Sequence, residues 1–289
     1  MRTRFAPSPT GPLHLGHAYS AILAYDLARA AEGTFVLRIE DIDQGRARAE
    51  WETAIHDDLA WLGLSWDRPV WRQSERLPQY RAALRKLWSL GLLYPCTCRR
   101  RDILHALDAP QEGTPPVGPD GLIYPGTCRD SASRDGPLPS TTALRLDMRR
   151  ALDCIETDEL FFADHYRGRC VVGPDHMMNA VGDVVLSRRE MGTSYHLSVV
   201  VDDAAQDITD VVRGEDLLEA TPIHVVLQRL LDLPTPRYHH HRLIRDADGK
   251  RLAKRDDARA IARYRNDGAT PDDIRRMVDL PIANQGPAA

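Results

Sequence analysis

The first 40 residues carry a strand, a loop, a helix and a second strand, and this order constrains the fold more than any other feature. Arg2–Ala6 is short and partly apolar, and the prolines at positions 7, 9 and 12 predict an extended loop after it. From His17 to Ala31, apolar residues at 18, 21, 22, 25 and 28 follow the period of a helix that packs on a sheet. Phe35–Ile39 predicts the second strand. Such a unit implies an α/β fold with a parallel sheet and a site at the carboxyl ends of its strands.

The rest of the chain continues this alternation, apart from one segment of different character. The predicted helices are Ala49–Leu62, Leu77–Leu90 and Leu217–Leu231, and the predicted strands are 183–187 and 208–213. Gly33 stands where a glycine commonly ends a helix. Seven of the thirteen residues from Ala109 to Gly121 are proline or glycine, which predicts a loop without packed structure of its own.

These patterns predict an α/β core that is interrupted near residue 94 and resumes near residue 181. The expected segments are the first half of the core at 1–93, an inserted subdomain at 94–180, the second half at 181–236 and a C-terminal segment at 237–289. Within the last segment, short helices are predicted at 258–264 and 272–278.

The composition is typical of an ordinary globular protein. The 289 residues include 38 Lys and Arg and 42 Asp and Glu, a net charge of −4, and 43% of them are hydrophobic. There is no run of about 18 apolar residues, and the first residues lack the apolar stretch of a secretory signal. We therefore expect a cytoplasmic protein without a membrane-spanning segment, and not a generic basic coat protein for nucleic acids.

The loop between the first strand and the first helix carries the first candidate site. His14 and His17 are three residues apart, so on a first helical turn both point toward one ligand. Gly16 removes a side chain at the helix entrance, which lets a nucleotide lie against the backbone. A helix amino end favours phosphate, and imidazoles there donate hydrogen bonds as charge develops on phosphoryl oxygens. Two surface histidines without a ligand are the alternative interpretation.

A second candidate site lies in the loop Asp248–Arg255. A glycine-containing loop that ends in mobile cations suits a triphosphate. Between Arg237 and Arg255 the chain has seven Lys or Arg against two Asp, a local charge of +5, together with histidines at 239–241. A solvated basic loop is the alternative.

Taken together, these segments resemble the class I aminoacyl-tRNA synthetases, and among them the glutamyl branch. The motif usually written HIGH is present as His14-Leu15-Gly16-His17, and the lysine-loop motif usually written KMSKS as Arg251-Leu252-Ala253-Lys254-Arg255. Further matches lie at 4–11, 38–43, 195–197, 201–203 and 212–216, so the resemblance covers roughly residues 2–255 in order. It implies a Rossmann-type catalytic domain that binds ATP.

The resemblance also implies a glutamate pocket made of Arg4, Ala6, Ser8, Glu40, Tyr195 and Arg213. Arg213 offers a planar fork for the side-chain carboxylate, and Arg4 adds a second cation. Glu40 pairs with the substrate ammonium, while Tyr195 and Ser8 supply neutral hydrogen bonds. For the acidic run from Glu40 to Asp43, a cap at a helix amino end is the alternative.

The implied reaction is attack of the glutamate α-carboxylate on the α-phosphorus of ATP, with release of pyrophosphate and with Mg²⁺ accompanying ATP. His14, His17 and Lys254 are then the candidate catalytic residues that stabilise phosphate, and together with Gly16 they make up the ATP-binding set. Arg251 and Ala253 depart from the usual Lys and Ser of the lysine loop, although the charge is retained at 251.

The length of the chain bears on the product. Only 34 residues follow Arg255, too few for the helical anticodon-binding region of a complete glutamyl-tRNA synthetase. The chain therefore resembles the truncated glutamyl-queuosine tRNA(Asp) synthetases, which activate glutamate without tRNA. This implies transfer of glutamate to the queuosine base at the wobble position of tRNA(Asp), with the anticodon stem-loop as partner, and we expect a monomer. A minimal glutamyl-tRNA synthetase for tRNA(Glu) and a catalytically silent tRNA-binding paralogue are the alternatives.

The chain has five cysteines, an odd number that disfavours a disulfide framework. The resemblance implies a structural zinc site with the ligands Cys96, Cys98, Tyr124 and Cys128, because three thiolates and one oxygen can close a tetrahedral site. Three buried cysteines and a core tyrosine are the alternative. Cys154 and Cys170 fit no such pattern and are expected to be core thiols.

Overall fold

The computed structural model describes residues 1–107, 116–156, 159–244 and 259–282. Within them the strands are, in chain order, β1 Arg2–Phe5, β2 Thr34–Ile39, β3 Trp71–Arg72, β4 Leu93–Cys96, β5 Val117–Gly118, β6 Gly121–Leu122, β7 Ala143–Leu146, β8 Leu160–Asp164, β9 Gly168–Val172, β10 Val185–Ser187, β11 Asp210–Gly214 and β12 Arg237–His241. The helices are α1 Leu15–Ala30, α2 Ala49–Trp61, α3 Leu77–Ser89, α4 Arg100–Leu107, α5 Met148–Asp153, α6 Pro174–His176, α7 Tyr195–Ala205, α8 Thr221–Leu231, α9 Ile261–Asn266 and α10 Pro271–Met277.

The chain divides into two compact units. The first contains residues 1–75, 208–216 and the described part of 237–289, and the second contains 76–207 and 217–236. Because 208–216 and 237 onward return to the first unit, its sheet is completed by residues far from its beginning in sequence. The four-segment division that we drew from the sequence stays a prediction.

The first unit is built on parallel strand pairs. β1 pairs with β2, β2 with β3 and β11 with β12, in each case in parallel. β11 lies beside β1, where the Thr209 N–H donates to the Arg2 carbonyl at 3.0 Å. β1, β2 and β11 therefore end at the same edge of the sheet, as the strand–helix–strand pattern predicts.

Helix α1 covers this sheet through a face of small and aliphatic side chains, including Ala18, Ala21 and Ile22, each at most 1% exposed. Gly33 follows the helix for a different reason from the one expected. Glu32 adopts the left-handed conformation, with φ of +49°. At Gly33 a Cβ atom would lie 2.1 Å from the Met1 carbonyl oxygen, so glycine is required by a close approach of two backbone segments.

The C-terminal helices are part of the first unit's core. Ile261 of α9 and Ile274 of α10 are fully buried in the same cluster as the β2 side chains. Arg275 donates through both Nη atoms to the Asp26 carboxylate of α1, at 2.7 and 3.0 Å. Apolar burial and a paired charge thus hold α10 on α1.

The second unit combines antiparallel strands with helices. β4, β7 and β10 form one antiparallel sheet, and β8 and β9 form a hairpin. Asp202 of α7 is fully buried and accepts from Tyr80 Oη at 2.7 Å and from Arg76 Nε at 2.6 Å. These two bonds satisfy a buried carboxylate and join α7 to the start of α3.

Three expectations need correction. The helix predicted from Leu217 begins at Thr221, after a 3₁₀ turn at Glu215–Leu217, and Pro222 fits its first turn because proline has no N–H to pair there. Residues 117–122 form the hairpin β5–β6, whereas we expected a loop without packed structure; the residues 108–115 of that loop lie outside the described part of the chain. Cys154 is exposed and Cys170 only partly buried, so the prediction of core thiols was wrong.

The described part of the chain contains no helix that is both long and apolar enough to cross a membrane.

Candidate active site

His14 and His17 close the amino end of α1 through their own rings. His14 is the N-cap residue, and its Nδ1 accepts the Gly16 N–H at 3.1 Å. The Nδ1 atom of His17 accepts the His14 N–H at 3.2 Å. The two ring centroids lie 3.8 Å apart. Because each Nδ1 is an acceptor, the hydrogen of each neutral ring is on Nε2.

Gly16 is explained by the ring of His14. A Cβ atom at this position would lie 3.0 Å from His14 Cε1 and 3.1 Å from its Nδ1. Any larger residue would therefore push the capping imidazole away from the helix end. We assigned Gly16 to nucleotide access, and it also leaves room for the His14 ring at the helix end.

Arg4, Ala6 and Ser8 follow one another along the end of β1 and the loop after it. Arg4 is 5% exposed, and its Nη1 donates to the Val212 carbonyl of β11 at 3.3 Å. Ala6 is half-buried, and Ser8 is exposed between the buried prolines 7 and 9. The first strand thus brings a buried cation to the edge where β11 also ends.

Glu40 follows the last residue of β2, and its backbone N–H donates to the Pro7 carbonyl at 3.0 Å. Its carboxylate accepts from Arg38 Nη2 at 3.2 Å. The Arg38 side chain is fully buried and that of Glu40 is 10% exposed. Sequence reasoning missed Arg38, although a charged residue within a buried strand is itself a signal of a paired charge. A cap at a helix amino end does not describe Glu40, because α2 begins only at Ala49.

Arg213 lies on β11, directly opposite His240 of β12. Its Nε donates to His240 Nε2 at 3.1 Å, and its guanidinium stacks over the Tyr238 ring at 5.1 Å. Arg213 and His240 are 5% and 2% exposed. The histidines at 239–241, which the sequence placed in a basic stretch, are thus buried in a strand, and one of them orients Arg213.

The remaining candidates lie elsewhere. Tyr195 belongs to the second unit, where it is the first residue of α7 after the N-cap Ser194. Lys254, with Arg251 and Ala253, lies outside the described residues. The structure therefore brings Arg4, Glu40 and Arg213 to one edge of the first unit, next to the capped end of α1.

The second unit contains a cluster of three cysteines that can hold a metal ion. The Sγ atoms of Cys96, Cys98 and Cys128 all lie within 4.8 Å of one another. Tyr124 Oη lies 3.5 Å from Cys96 Sγ and 3.3 Å from Cys98 Sγ, and it accepts the Cys128 N–H at 2.9 Å. β4 supplies Cys96, and the segment after the β5–β6 hairpin supplies Tyr124 and Cys128.

The thiols of this cluster differ in acidity. Burial raises the pKa of Cys98 to about 11. At Cys128 burial also opposes ionisation, but hydrogen bonds from Tyr124 and from the Thr97 backbone prevail and lower the pKa to about 7.

A buried arginine, which sequence reasoning did not identify, stands against the cluster. The Arg145 guanidinium stacks over the Tyr124 ring at 3.9 Å, and its Nε donates to Cys96 Sγ at 3.4 Å. Its Nη1 donates to the Asp183 carbonyl at 2.8 Å, which fixes the side chain. A cation held in this way offsets the negative charge of thiolates.

The matches to known proteins agree with this geometry. The family model for the catalytic domain of the class I tRNA synthetases (E and Q) matches residues 1–281. The chain belongs to this family. It is an ATP-dependent ligase of the aminoacyl-tRNA synthetase type, and its parallel first unit is the part of the class I fold that carries the His14–His17 helix.

Curated relatives match over nearly the whole length. A protein of Rhodobacter capsulatus named Glutamyl-Q tRNA(Asp) synthetase is 63% identical over 281 residues, covering 97% of this chain and 100% of that protein. One of Nocardia farcinica with the same name is 43% identical over 279 residues, covering 95% of this chain and 82% of that protein.

Solved synthetases share the fold. A glutamate tRNA ligase from Elizabethkingia meningosepticum, crystallised with its amino acid, is 28% identical with a TM-score of 0.70; the match covers 89% of this chain but 52% of that one. The chain thus spans about half the length of that ligase. Methionyl-tRNA synthetase of Mycobacterium tuberculosis, at 12% identity and a TM-score of 0.60, shares the fold, with 97% of this chain and 64% of that chain covered.

Proposed function

We propose that this class I synthetase activates L-glutamate with ATP in the absence of tRNA and transfers it to the queuosine base at the wobble position of tRNA(Asp). The observation that carries the proposal is the 63% identity to a glutamyl-Q tRNA(Asp) synthetase over the full length of that relative. The cations and the carboxylate at the edge of the first unit support a zwitterionic, acidic substrate. We also propose that the chain acts as a cytoplasmic monomer.

In this proposal the glutamate is recognised by charge. Arg213, oriented by His240, binds the side-chain carboxylate through its guanidinium fork, and Arg4 adds a second positive charge. Glu40 receives the ammonium group while Arg38 holds its carboxylate from the other side. Ala6 and Ser8 complete the pocket, and in this proposal Tyr195 also contacts glutamate. Glutamine is rejected because its neutral amide leaves the buried cations without a counter-charge.

The first chemical step forms glutamyl adenylate. An oxygen of the glutamate α-carboxylate attacks the α-phosphorus of ATP, which is bound with Mg²⁺, and the bond from that phosphorus to pyrophosphate breaks. The Nε2–H groups of His14 and His17 donate to phosphoryl oxygens as their charge grows, Gly16 keeps the helix end open, and Lys254 adds a cation. In the second step a hydroxyl of the queuosine cyclopentenediol attacks the glutamyl carbonyl, an ester forms, and AMP leaves.

Labelled glutamate tests this function with two pools of tRNA(Asp), one from queuosine-replete and one from queuosine-deficient cells. We expect label only in the replete pool, and after nuclease cleavage we expect it in the anticodon fragment. Glutamate-dependent exchange of pyrophosphate into ATP is expected without any tRNA.

Other outcomes identify the alternatives. Label at the acceptor end of tRNA(Glu), with exchange that requires this tRNA, indicates a minimal glutamyl-tRNA synthetase. Equal labelling of both tRNA(Asp) pools contradicts the proposed product. Absence of exchange under every condition indicates a silent tRNA-binding paralogue.

We further propose that Cys96, Cys98, Cys128 and Tyr124 hold a structural Zn²⁺ ion. Tetrahedral Zn²⁺ with bonds of about 2.3 Å to sulfur and about 2.0 Å to oxygen places the sulfurs about 3.8 Å apart and the oxygen about 3.5 Å from each sulfur. The spacing of Cys98 Sγ and Cys128 Sγ, 3.5 Å, and the distances of Tyr124 Oη to Cys96 and Cys98, 3.5 and 3.3 Å, fit this geometry. Arg145 then acts as an outer partner that holds Tyr124 and Cys96.

Substitution of Cys128 tests the zinc proposal. We expect wild-type protein to contain about one zinc ion per chain, and Cys128→Ser to lose most of it and to unfold at a lower temperature, because a closed structural site contributes its binding free energy to folding. Elemental analysis and thermal unfolding measure both effects. The matched control is Cys154→Ser, which changes an exposed thiol of the same unit. Equal zinc content in the two variants would contradict the assignment.

A further inference from the structure

A hydrogen-bonded row of side chains extends from the β5–β6 hairpin through His196 of α7 to His224 of α8. The Asp120 carboxylate lies 3.3 Å from His196 Nε2, and His196 Nδ1 lies 3.2 Å from His224 Nε2. His196 and His224 are 5% and 1% exposed, and the Asp120 side chain is 25% exposed. Two buried imidazoles and a carboxylate are therefore linked in the second unit without any role assigned so far.

The carboxylate of Asp120 determines the direction of the hydrogen bonds in this row. Burial opposes ionisation of Asp120, but its hydrogen bond with His196 and the neighbouring positive charge of Arg188 hold its pKa below the usual range. An ionised carboxylate accepts only, so His196 donates through Nε2–H. In the neutral form of His196, Nδ1 is then an acceptor, and His224 donates to it through its own Nε2–H. Each bond fixes the direction of the next.

Tyr195 packs against both imidazoles of the row. Its ring centroid lies 5.4 Å from that of His196 and 5.6 Å from that of His224, and both contacts are edge-on. Edge-on aromatic contacts at this distance are attractive and directional. A rotation of either imidazole therefore changes the surface on which the Tyr195 ring rests.

Asp120 reaches His196 because its hairpin is held in place. At Gly118 a Cβ atom would lie 2.3 Å from the Ala180 carbonyl oxygen, so the hairpin is packed against the segment before β10. The chain continues from β6 to Tyr124 of the cysteine cluster. One short segment thus supplies both Tyr124 of the cysteine cluster and the Asp120 carboxylate that is hydrogen-bonded to His196.

We propose that Asp120, acting through His196 and His224, is a positioning residue for Tyr195 and thereby sets the affinity for glutamate. The inference rests on the proposed function, in which Tyr195 contacts glutamate. It assigns a substrate-specific effect to a residue of the proline- and glycine-rich segment, far in sequence from the pocket motifs.

The test compares Asp120→Ala, Asp120→Asn and the control Asp153→Ala, which removes an exposed carboxylate of the same unit. We expect Asp120→Ala to raise KM for glutamate in pyrophosphate exchange by about tenfold, and to leave kcat and KM for ATP within about twofold, because the adenylate chemistry is untouched. Asp120→Asn retains an acceptor oxygen for His196 Nε2–H and is expected to stay within about threefold of wild type. The control is expected to match wild type.

A double-mutant cycle with Tyr195→Ala separates positioning from a general structural role. Because Asp120 acts through Tyr195, adding Asp120→Ala to Tyr195→Ala is expected to cause no further rise in KM for glutamate. Independent, multiplying effects of the two substitutions would overturn the inference, and so would an equal rise in KM for ATP or an unchanged KM for glutamate in Asp120→Ala.

If wild-type protein shows no glutamate-dependent exchange, the proposed function itself has failed. In that case ¹⁵N NMR still determines the tautomer of His196. Hydrogen on Nδ1 instead of Nε2 would overturn the hydrogen-bonded row described here.

Discussion

We expect Arg213→Gln to lower kcat/KM for glutamate by about thirtyfold or more, because truncating one partner of a buried charge pair, as in the proposed pocket, costs about 2–5 kcal/mol. Arg213 is 5% exposed and its Nε donates to His240 Nε2 at 3.1 Å, so few other positions are open to its guanidinium. Glutamine still donates to His240 but carries neither the charge nor the fork that a carboxylate requires. Glutamate-dependent pyrophosphate exchange measures the effect.

The control for this prediction is Arg237→Gln, which removes an exposed arginine from the neighbouring strand β12. We expect its exchange kinetics to match wild type. Arg213→Lys restores the charge without the fork and is expected to recover only part of the loss. If Arg213→Gln reduces kcat/KM for glutamate less than threefold while the fold is intact by thermal unfolding, Arg213 does not bind the side-chain carboxylate.

His17→Asn separates the capping role of the histidine from its proposed role as a donor to phosphate. The asparagine Oδ1 replaces Nδ1 as the acceptor for the His14 N–H, so the helix end remains capped, but the donor at the Nε2 position is lost. We expect kcat for exchange to fall by about 10²–10³, the usual effect of removing one hydrogen-bond donor to a developing charge. The thermal unfolding temperature is expected to stay within about 2 °C of wild type.

His14→Asn and His14→Ala extend the same comparison. Asparagine is a favourable N-cap, so His14→Asn is expected to lose kcat without losing stability, whereas His14→Ala loses both, with about 1 kcal/mol of stability. Equal kcat in His17→Asn and wild type would show that the ring acts only as a cap. A large loss of stability in both asparagine variants would show that the rings support the fold by more than their Nδ1 bonds.

Local features of the fold were predictable. The helix period from Ala18 and the apolar run before Glu40 placed α1 and β2 to within a few residues. These patterns work because the residues of one helix turn or one strand are neighbours in sequence. The start of α8 was misplaced by four residues, because the segment before Pro222 has helix-like composition but forms a 3₁₀ turn.

Glycines show how a residue type is predictable while its reason is not. Gly33 was assigned to the end of a helix, yet it is required by the Met1 carbonyl. Gly16 was assigned to nucleotide access, yet the His14 ring lies against the space its side chain would fill. In both cases the deciding atom is defined only once the backbone is folded.

The residues that support the candidate pocket and the cysteine cluster could not be identified from the sequence for the same reason. His240 orients Arg213 across two strands that are 27 residues apart in the chain. Arg145 reaches Cys96 over 49 residues, and Asp120 reaches His196 over 76. Strand register and hairpin packing determine these pairs, and neither leaves a periodic trace in the sequence.

By itself, the sequence determined the strand–helix–strand unit, because that pattern depends on residue types at short spacing. The synthetase motifs and the set of Cys96, Cys98, Tyr124 and Cys128 came from the resemblance to the family. The tertiary structure decided which partners hold the functional side chains: Arg38 for Glu40, His240 for Arg213, and the Nδ1 bonds that direct His14 and His17. A buried charge or imidazole must be paired to be stable, but several partners of suitable chemistry are present in the chain. The register of β11 and β12 selects His240 for Arg213. The other bonds join residues two or three apart in sequence, and the local backbone conformation of the folded chain brings these side chains together.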